Sequence, residues 1–220
     1  MKKKLMTLLI SVLVTLSLVA CSEPKSKARA VYLLLDTSGT YTEEMNKAQT
    51  IINYLLATLD SGDSIAIARI DSGSFSEKDI VVRATFDMRP STANEQKRLF
   101  KKKIDDFVAT VKNGSRHTDI TGGMLQAGEY LTETGAGEKY VLIFSDLEED
   151  LKKGHIRDFP ISLPDINVVA LNVTKLRSDN IDPRDYLKRL DTWQNRVTDA
   201  GGKWGVINDL ERLDSLLASR

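Results

Sequence analysis

One cysteine, Cys21, is all that the 220-residue chain contains, so no disulfide can close within it, and an oxidising compartment would leave the fold unstapled. Histidine is nearly as scarce. His117 and His155 are the two, and neither has a Ser or Cys nucleophile evident as a partner, which weighs against nucleophilic catalysis. Positive charge is not in excess: 31 Lys and Arg face 31 Asp and Glu, and nothing points to nucleic acid. No glycine-rich phosphate loop supports a nucleotide enzyme. Internal repeats and low-complexity tracts are missing as well. The N-terminal apolar run, Leu5 to Leu18, has 14 residues, short of the about 20 that a membrane-spanning helix needs.

That run reads instead as an export signal. Lys2, Lys3 and Lys4 form a basic head, Leu5 to Leu18 an apolar middle, and Leu18-Val19-Ala20-Cys21 closes it. LVAC resembles the bacterial lipobox, which implies removal of residues 1–20, diacylation of Cys21 and anchoring of the mature chain in the cell envelope. In Gram-negative lipoproteins an Asp after the Cys signals inner-membrane retention, so Ser22 at that position favours the outer membrane by the same resemblance. The eight residues Ser22 to Arg29 extend at most about 3.3–3.6 Å each, so the tether within 21–29 holds a domain at 30–220 within about 30 Å of the membrane. Loss of the leader removes three lysines and no acid, leaving a net charge of −3.

The remaining sequence alternates short apolar runs with amphipathic ones. Ala30 to Leu35 and Tyr140 to Ser145 read as buried parallel strands, with further strands at Ser64 to Ile70, Ile80 to Phe86, Ile166 to Val173 and Trp204 to Ile207. Helices are expected over Thr42 to Leu59, Ala93 to Val111, Gly122 to Thr134, Pro183 to Ala200 and Asp209 to Ala218. Only Asp71 to Asp79 joins the second and third strands, too short for a crossover helix, so those two should form an antiparallel edge hairpin. The other connections are expected to carry helices. The pattern predicts an α/β fold: a doubly wound, mostly parallel sheet with one antiparallel edge strand and helices on both faces. Lys97, Arg98, Lys101, Lys102 and Lys103 on the second helix read as a solvated face.

Two of the buried runs end on an acid. Asp36 follows Leu33-Leu34-Leu35, and Asp146 follows Ile143-Phe144-Ser145. In an open parallel sheet the carboxyl ends of the strands share one edge, where ligands bind at the reversal of strand order. Ser38 and Thr40 lie just past the first strand, and Thr118 is read as opening a helix that passes the same edge. Two carboxylates and three hydroxyls make an all-oxygen set, suited to a hard cation such as Mg2+, Mn2+ or Ca2+ more than to Zn2+. Singly, each is also an ordinary turn or N-cap residue.

As a set these residues resemble the metal-ion-dependent adhesion site of von Willebrand factor A-type domains, whose motif is Asp-x-Ser-x-Ser, a distant Thr and a distant Asp. The first Asp falls on Asp36, the first Ser on Ser38, the Thr on Thr118 and the last Asp on Asp146. The second Ser is Thr40 here, which keeps the hydroxyl and adds a methyl. The resemblance covers roughly residues 28 to 220. It implies a non-enzymatic module that captures an Asp or Glu of an envelope or extracellular protein through a bound divalent cation, or a scaffold of the same fold with an empty site. The connection Leu147 to Pro164, with Glu148, Glu149, Asp150, Lys152, Lys153 and His155, is expected to overhang the site and to select the partner together with 71–77 and 113–117.

A second resemblance belongs to another class. Leu34-Leu35-Asp36-Thr37-Ser38-Gly39-Thr40 also resembles the DxDGT motif of haloacid-dehalogenase-like phosphatases, with Asp36 as nucleophile and Asp146 to Asp150 as the acidic metal motif. Ser38 stands where that family has its second Asp, the general acid/base, and Thr118 would have no task there.

Overall fold

The computed structural model describes residues 26–220 apart from 40, 42, 43, 112, 113, 155, 158, 210, 211 and 214–220. Cys21, Thr40 and His155 therefore lie outside the described residues, as does most of the expected helix at 209–218; of that segment Arg212 and Leu213 are helical, and Leu213 is buried.

All eight residues of β1 (Arg29–Asp36) are buried because the strand sits inside the sheet with a core on either side. β2 (Ser64–Ile70), β3 (Ile80–Thr85), β4 (Glu138–Phe144), β5 (Ile166–Leu171) and β6 (Lys203–Ile207) complete a sheet in the order β3-β2-β1-β4-β5-β6. Every pairing is parallel except β2 with β3 at the edge, as the short 71–79 connection requires.

Alternation along β1 divides its side chains between two cores. Val31, Leu33 and Leu35 meet α1 (Met45–Thr58) and α2 (Pro90–Thr110) through Ile51, Ile52, Leu55, Phe100 and Ile104. Ala30, Tyr32 and Leu34 meet α3 (Ile120–Glu133) and α4 (Pro183–Asp199) through Ile120, Met124, Leu131, Trp193 and Val197. Each fully buried Leu or Ile contributes about 1.5–3 kcal/mol, so the two cores together dominate the stability of the sheet. α4 begins as its sequence indicates, with Pro183 after an Asp182 cap that accepts from Arg184 N at 3.0 Å, and Gly201 follows its end at φ 83°.

Four expectations are corrected. α2 starts at Pro90 instead of Ala93, since Pro suits the first helical position. Lys97 leaves the expected solvated face: its ammonium donates to Leu59 O and lies 5.4 Å above the Phe86 ring. The stem is long enough to reach back over the core. α3 begins at Ile120, with Asp119 as its cap, so Thr118 precedes the helix and does not open it. The β4-to-β5 crossover, residues 145–165, carries no helix among its described residues, although the two strands pair in parallel.

That crossover lies directly on α3. A Cβ built on Gly128 would stand 2.9 Å from the Ser162 carbonyl, so the loop backbone uses the gap the glycine leaves. Gly128→Val should therefore lower the unfolding free energy by about 2 kcal/mol and increase protease cleavage within 147–164. Unchanged chemical denaturation and digestion would show that the loop does not depend on this contact.

Candidate metal centre

β1 and β4 are neighbours in register, Leu35 opposite Phe144, so Asp36 and the Ser145-Asp146 pair leave the sheet side by side. Both acids are buried, at 1% and 4% exposure. Each is folded back on its own chain in the same way: Ser38 N donates to Asp36 Oδ1 at 2.8 Å, and Glu148 N donates to Asp146 Oδ1 at 2.9 Å. Ser145 ties the two strand ends together. Its hydroxyl donates to Asp36 Oδ2 at 2.6 Å and accepts from Leu147 N at 3.0 Å.

Thr118 reaches the same edge through main-chain bridges on both sides of its segment. Ser38 pairs with Ser115, where Ser115 N donates to Thr37 O at 2.8 Å. Thr118 pairs with Asp150, N to O at 2.8 Å and O to N at 3.0 Å. Residues 115–118 thus run from the loop leaving β1 to the loop leaving β4, and Thr118 is buried there. Thr40 is outside the described residues. Its neighbour Tyr41 is buried, and its hydroxyl donates to Asn172 O. Burial, with the charges of Asp146 and Asp36 nearby, holds the Tyr41 hydroxyl protonated well above its ordinary range.

Burial also raises both carboxyl groups. Asp36 is raised by desolvation, opposed by its bonds from Ser145 and Ser38. Asp146 is pushed up to about 6, first by desolvation and then by the Asp36 charge, against the opposing bond from Glu148 N. Among the described residues neither carboxylate forms an ion pair with a Lys, Arg or His. Arg189 lies close enough to lower Asp146 somewhat without forming an ion pair with its carboxylate, and the two buried acids with Ser38 and Thr118 offer oxygen donors only, which fits a hard divalent ion. No group of three or more His, Cys, Asp or Glu gathers among the described residues, so the carboxylate count stays at two.

Sequence reading did not single out Asp119 as the residue that organises this edge. It is fully buried and accepts from Gly122 N at 2.8 Å, from Ser74 N at 3.0 Å and from Arg157, whose Nη2 lies 2.6 Å away. One carboxylate therefore joins the start of α3, the 71–79 connection and the long crossover. Its signal was present in Asp119-Ile120-Thr121-Gly122, the spacing of a helix N-cap. The crossover is fastened further by Glu149, which accepts from Thr121 N at 2.7 Å, and by Asp150, whose carboxylate meets His117 Nδ1 at 3.0 Å. It does pass over the edge, as expected, and it is pinned there.

No protein-family model matches the chain, and no curated protein matches it. Its structure is similar to that of the conserved hypothetical protein BatB from Bacteroides thetaiotaomicron, with a TM-score of 0.52 and 12% identity, covering 87% of this chain and 96% of that one. The central strand order and the single antiparallel edge strand decide the architecture. The chain has the von Willebrand factor A-type fold. It is also similar to a von Willebrand factor type A protein from Catenulispora acidiphila (TM-score 0.48, 16% identity), covering 87% of this chain and 41% of that one. The manganese-loaded TRAP protein of Plasmodium vivax gives a TM-score of 0.44 at 15% identity, covering 90% and 66% of the two chains. At 12% identity what is shared with BatB is the fold.

The raised Asp146 gives a pH signature in metal-free protein. Its folded value of about 6 exceeds the ordinary 3.8, so ionising it opposes folding. The penalty is absent below about pH 4 and complete above about pH 6, where it reaches roughly 3 kcal/mol. In EDTA, stability relative to Asp146→Asn should fall as pH rises from 4 to 7 by an amount of that order. Parallel pH profiles of the two proteins in chemical denaturation would contradict it.

Proposed function

We propose that this chain is a divalent-cation-dependent protein-binding module, tethered to the bacterial envelope through a lipidated Cys21. The observation that carries the reading is the pair Asp36 and Asp146: two buried carboxylates on adjoining strand ends with no cationic side chain paired to either among the described residues. Like charges so placed disfavour joint ionisation unless an added cation compensates them. Asp36, Ser38 and Thr40 would hold that ion from the loop after β1, with Thr118 and Asp146 completing its shell directly or through water. When bound, Mg2+ or Mn2+ supplies residual positive charge that accepts a carboxylate oxygen from a partner's Asp or Glu.

The chain's own part is to present and orient. Ser145 fixes Asp36 with its hydroxyl, the Ser38 and Glu148 amides fix one oxygen of each acid, and main-chain bridges hold the 115–118 segment between the two strand-exit loops. No bond is broken in this reading, which makes the protein a binding module and not an enzyme. BatB, at 96% coverage of its own length, supports such a fold standing as a unit of this size.

Calorimetric titration of Mn2+ into the solubilised full chain tests it. Wild type should bind, Asp36→Ala should lose binding altogether, and Thr118→Val should bind at least tenfold more weakly. Asp36→Ala should remain folded without metal, because it removes a buried charge. Undiminished binding by Thr118→Val would point to an acidic site of the phosphatase-like kind, and no binding by wild type would leave a scaffold with an empty site.

A further inference from the structure

Leu147 has the least comfortable backbone near the site. Its φ is 65°, in the left-handed region, and the two other non-glycine residues with positive φ among those described are Asp165 and Asn172, types that tolerate it better. A buried Leu held there costs on the order of 1–3 kcal/mol and persists only if its surroundings impose it. One face of α4 does so.

Arg189, Trp193 and Arg196 are four and three residues apart, which places them on a single helical stripe. They grip four successive positions of the loop that leaves β4, Arg189 Nη1 also pairing with the Glu148 carboxylate at 3.6 Å. Arg189 Nε donates to Asp146 O at 2.8 Å, Trp193 Nε1 donates to Leu147 O at 3.0 Å, and Arg196 Nη1 donates to the Glu149 carboxylate at 3.1 Å. The grip is itself rigid. Asp179, wholly buried, takes the two terminal nitrogens of Arg189 at 3.2 and 2.8 Å, and the Arg196 guanidinium lies 4.4 Å from the centre of the Trp193 ring.

We propose that Arg189 and Trp193 are positioning residues for the metal site. By holding the carbonyls of Asp146 and Leu147 they impose the left-handed turn at Leu147. The turn carries the Glu148 amide back onto Asp146 Oδ1, and that bond fixes the carboxylate for a cation. This rests on the cation-binding reading above, and it extends the site to a helix that contributes no ligand. Residues that orient a metal's ligands commonly change its affinity by 10- to 100-fold.

Trp193→Phe is the sharpest test, since it keeps an aromatic ring in the core and deletes the donor. A second variant, Arg189→Met with Asp179→Asn, removes the other bond without stranding a buried charge. Both should bind Mn2+ about tenfold more weakly in calorimetry and, without metal, should exchange the Glu148 amide proton about tenfold faster. Asp63→Ala is the control for stability alone. Its carboxylate holds Arg29 N and Asp60 N, each at 2.8 Å, at the opposite edge of the sheet, so stability should fall with Mn2+ affinity unchanged. Wild-type affinity and wild-type Glu148 exchange in Trp193→Phe would overturn the proposal. If the wild-type chain binds no Mn2+, the cation reading fails separately. Glu148 exchange then decides the clamp, faster in the variant supporting it and unchanged refuting it.

Discussion

The parallel pairing of β1 with β4 forces two carboxylates together at a place water hardly reaches, and the surrounding loops are arranged around that constraint. Leu35 opposite Phe144 leaves Asp36 and Asp146 no freedom to separate without breaking the sheet. The Asp36 charge is one of the causes that raise Asp146, so each acid opposes the ionisation of the other. The fold does not answer this with an arginine or lysine on either acid among the described residues. Its hydrogen bonds to the carboxylates come from neutral donors, one amide to each acid and the Ser145 hydroxyl, and the Arg189 guanidinium, bound to the Asp146 carbonyl, offsets the Asp146 charge only in part. A structural ion pair would stabilise the fold better. Under the cation-binding reading proposed above, neutral donors would keep the charge for the ion.

The third segment reaches this edge by a different route. Ser115 and Thr118 are placed by two isolated bridges, one to each strand-exit loop, and not by a helix. α3 begins only after Asp119 has taken three partners from three stretches of chain. Helix packing then fixes what the bridges align. Ile120, Met124 and Leu131 bury against the same core as Leu34, so α3 cannot slide along the sheet without exposing them.

The strands were legible because burial on both faces leaves nearly unbroken apolar runs, as in Leu33-Leu34-Leu35 and Val141-Leu142-Ile143-Phe144, and these fixed Asp36 and Asp146 to within a residue. The antiparallel edge followed from the brevity of 71–79 alone. Less legible was anything made by a side chain reaching across sequence. Arg157 meets Asp119 from 38 residues away and Trp193 meets Leu147 from 46, and no local period encodes such a distance. Lys97 looked like one more charge on a wet face because periodicity assigns a face to its Cα and not to its ammonium. The crossover, which has no helix among its described residues, escaped for a related reason. A parallel connection normally buries an amphipathic helix, but this one is held by ion pairs and main-chain bonds, whose sequence signature is only a scatter of charged residues.

Those ion pairs also bear on whether the crossover opens. Arg157 is the sole cation paired with Asp119 among the described residues, and Asp119 is wholly buried while Arg157 is only 16% exposed. Lifting the loop would strand a buried carboxylate at a cost of about 3–5 kcal/mol, and would also release Glu149 from the Thr121 amide and from Arg196. At 5 kcal/mol the opened form is populated at only about one part in several thousand, and at 3 kcal/mol at under one per cent. In this state the edge is therefore nearly rigid, and under the binding reading proposed above the energy that a flexible lid would spend on ordering would already be committed in the fold.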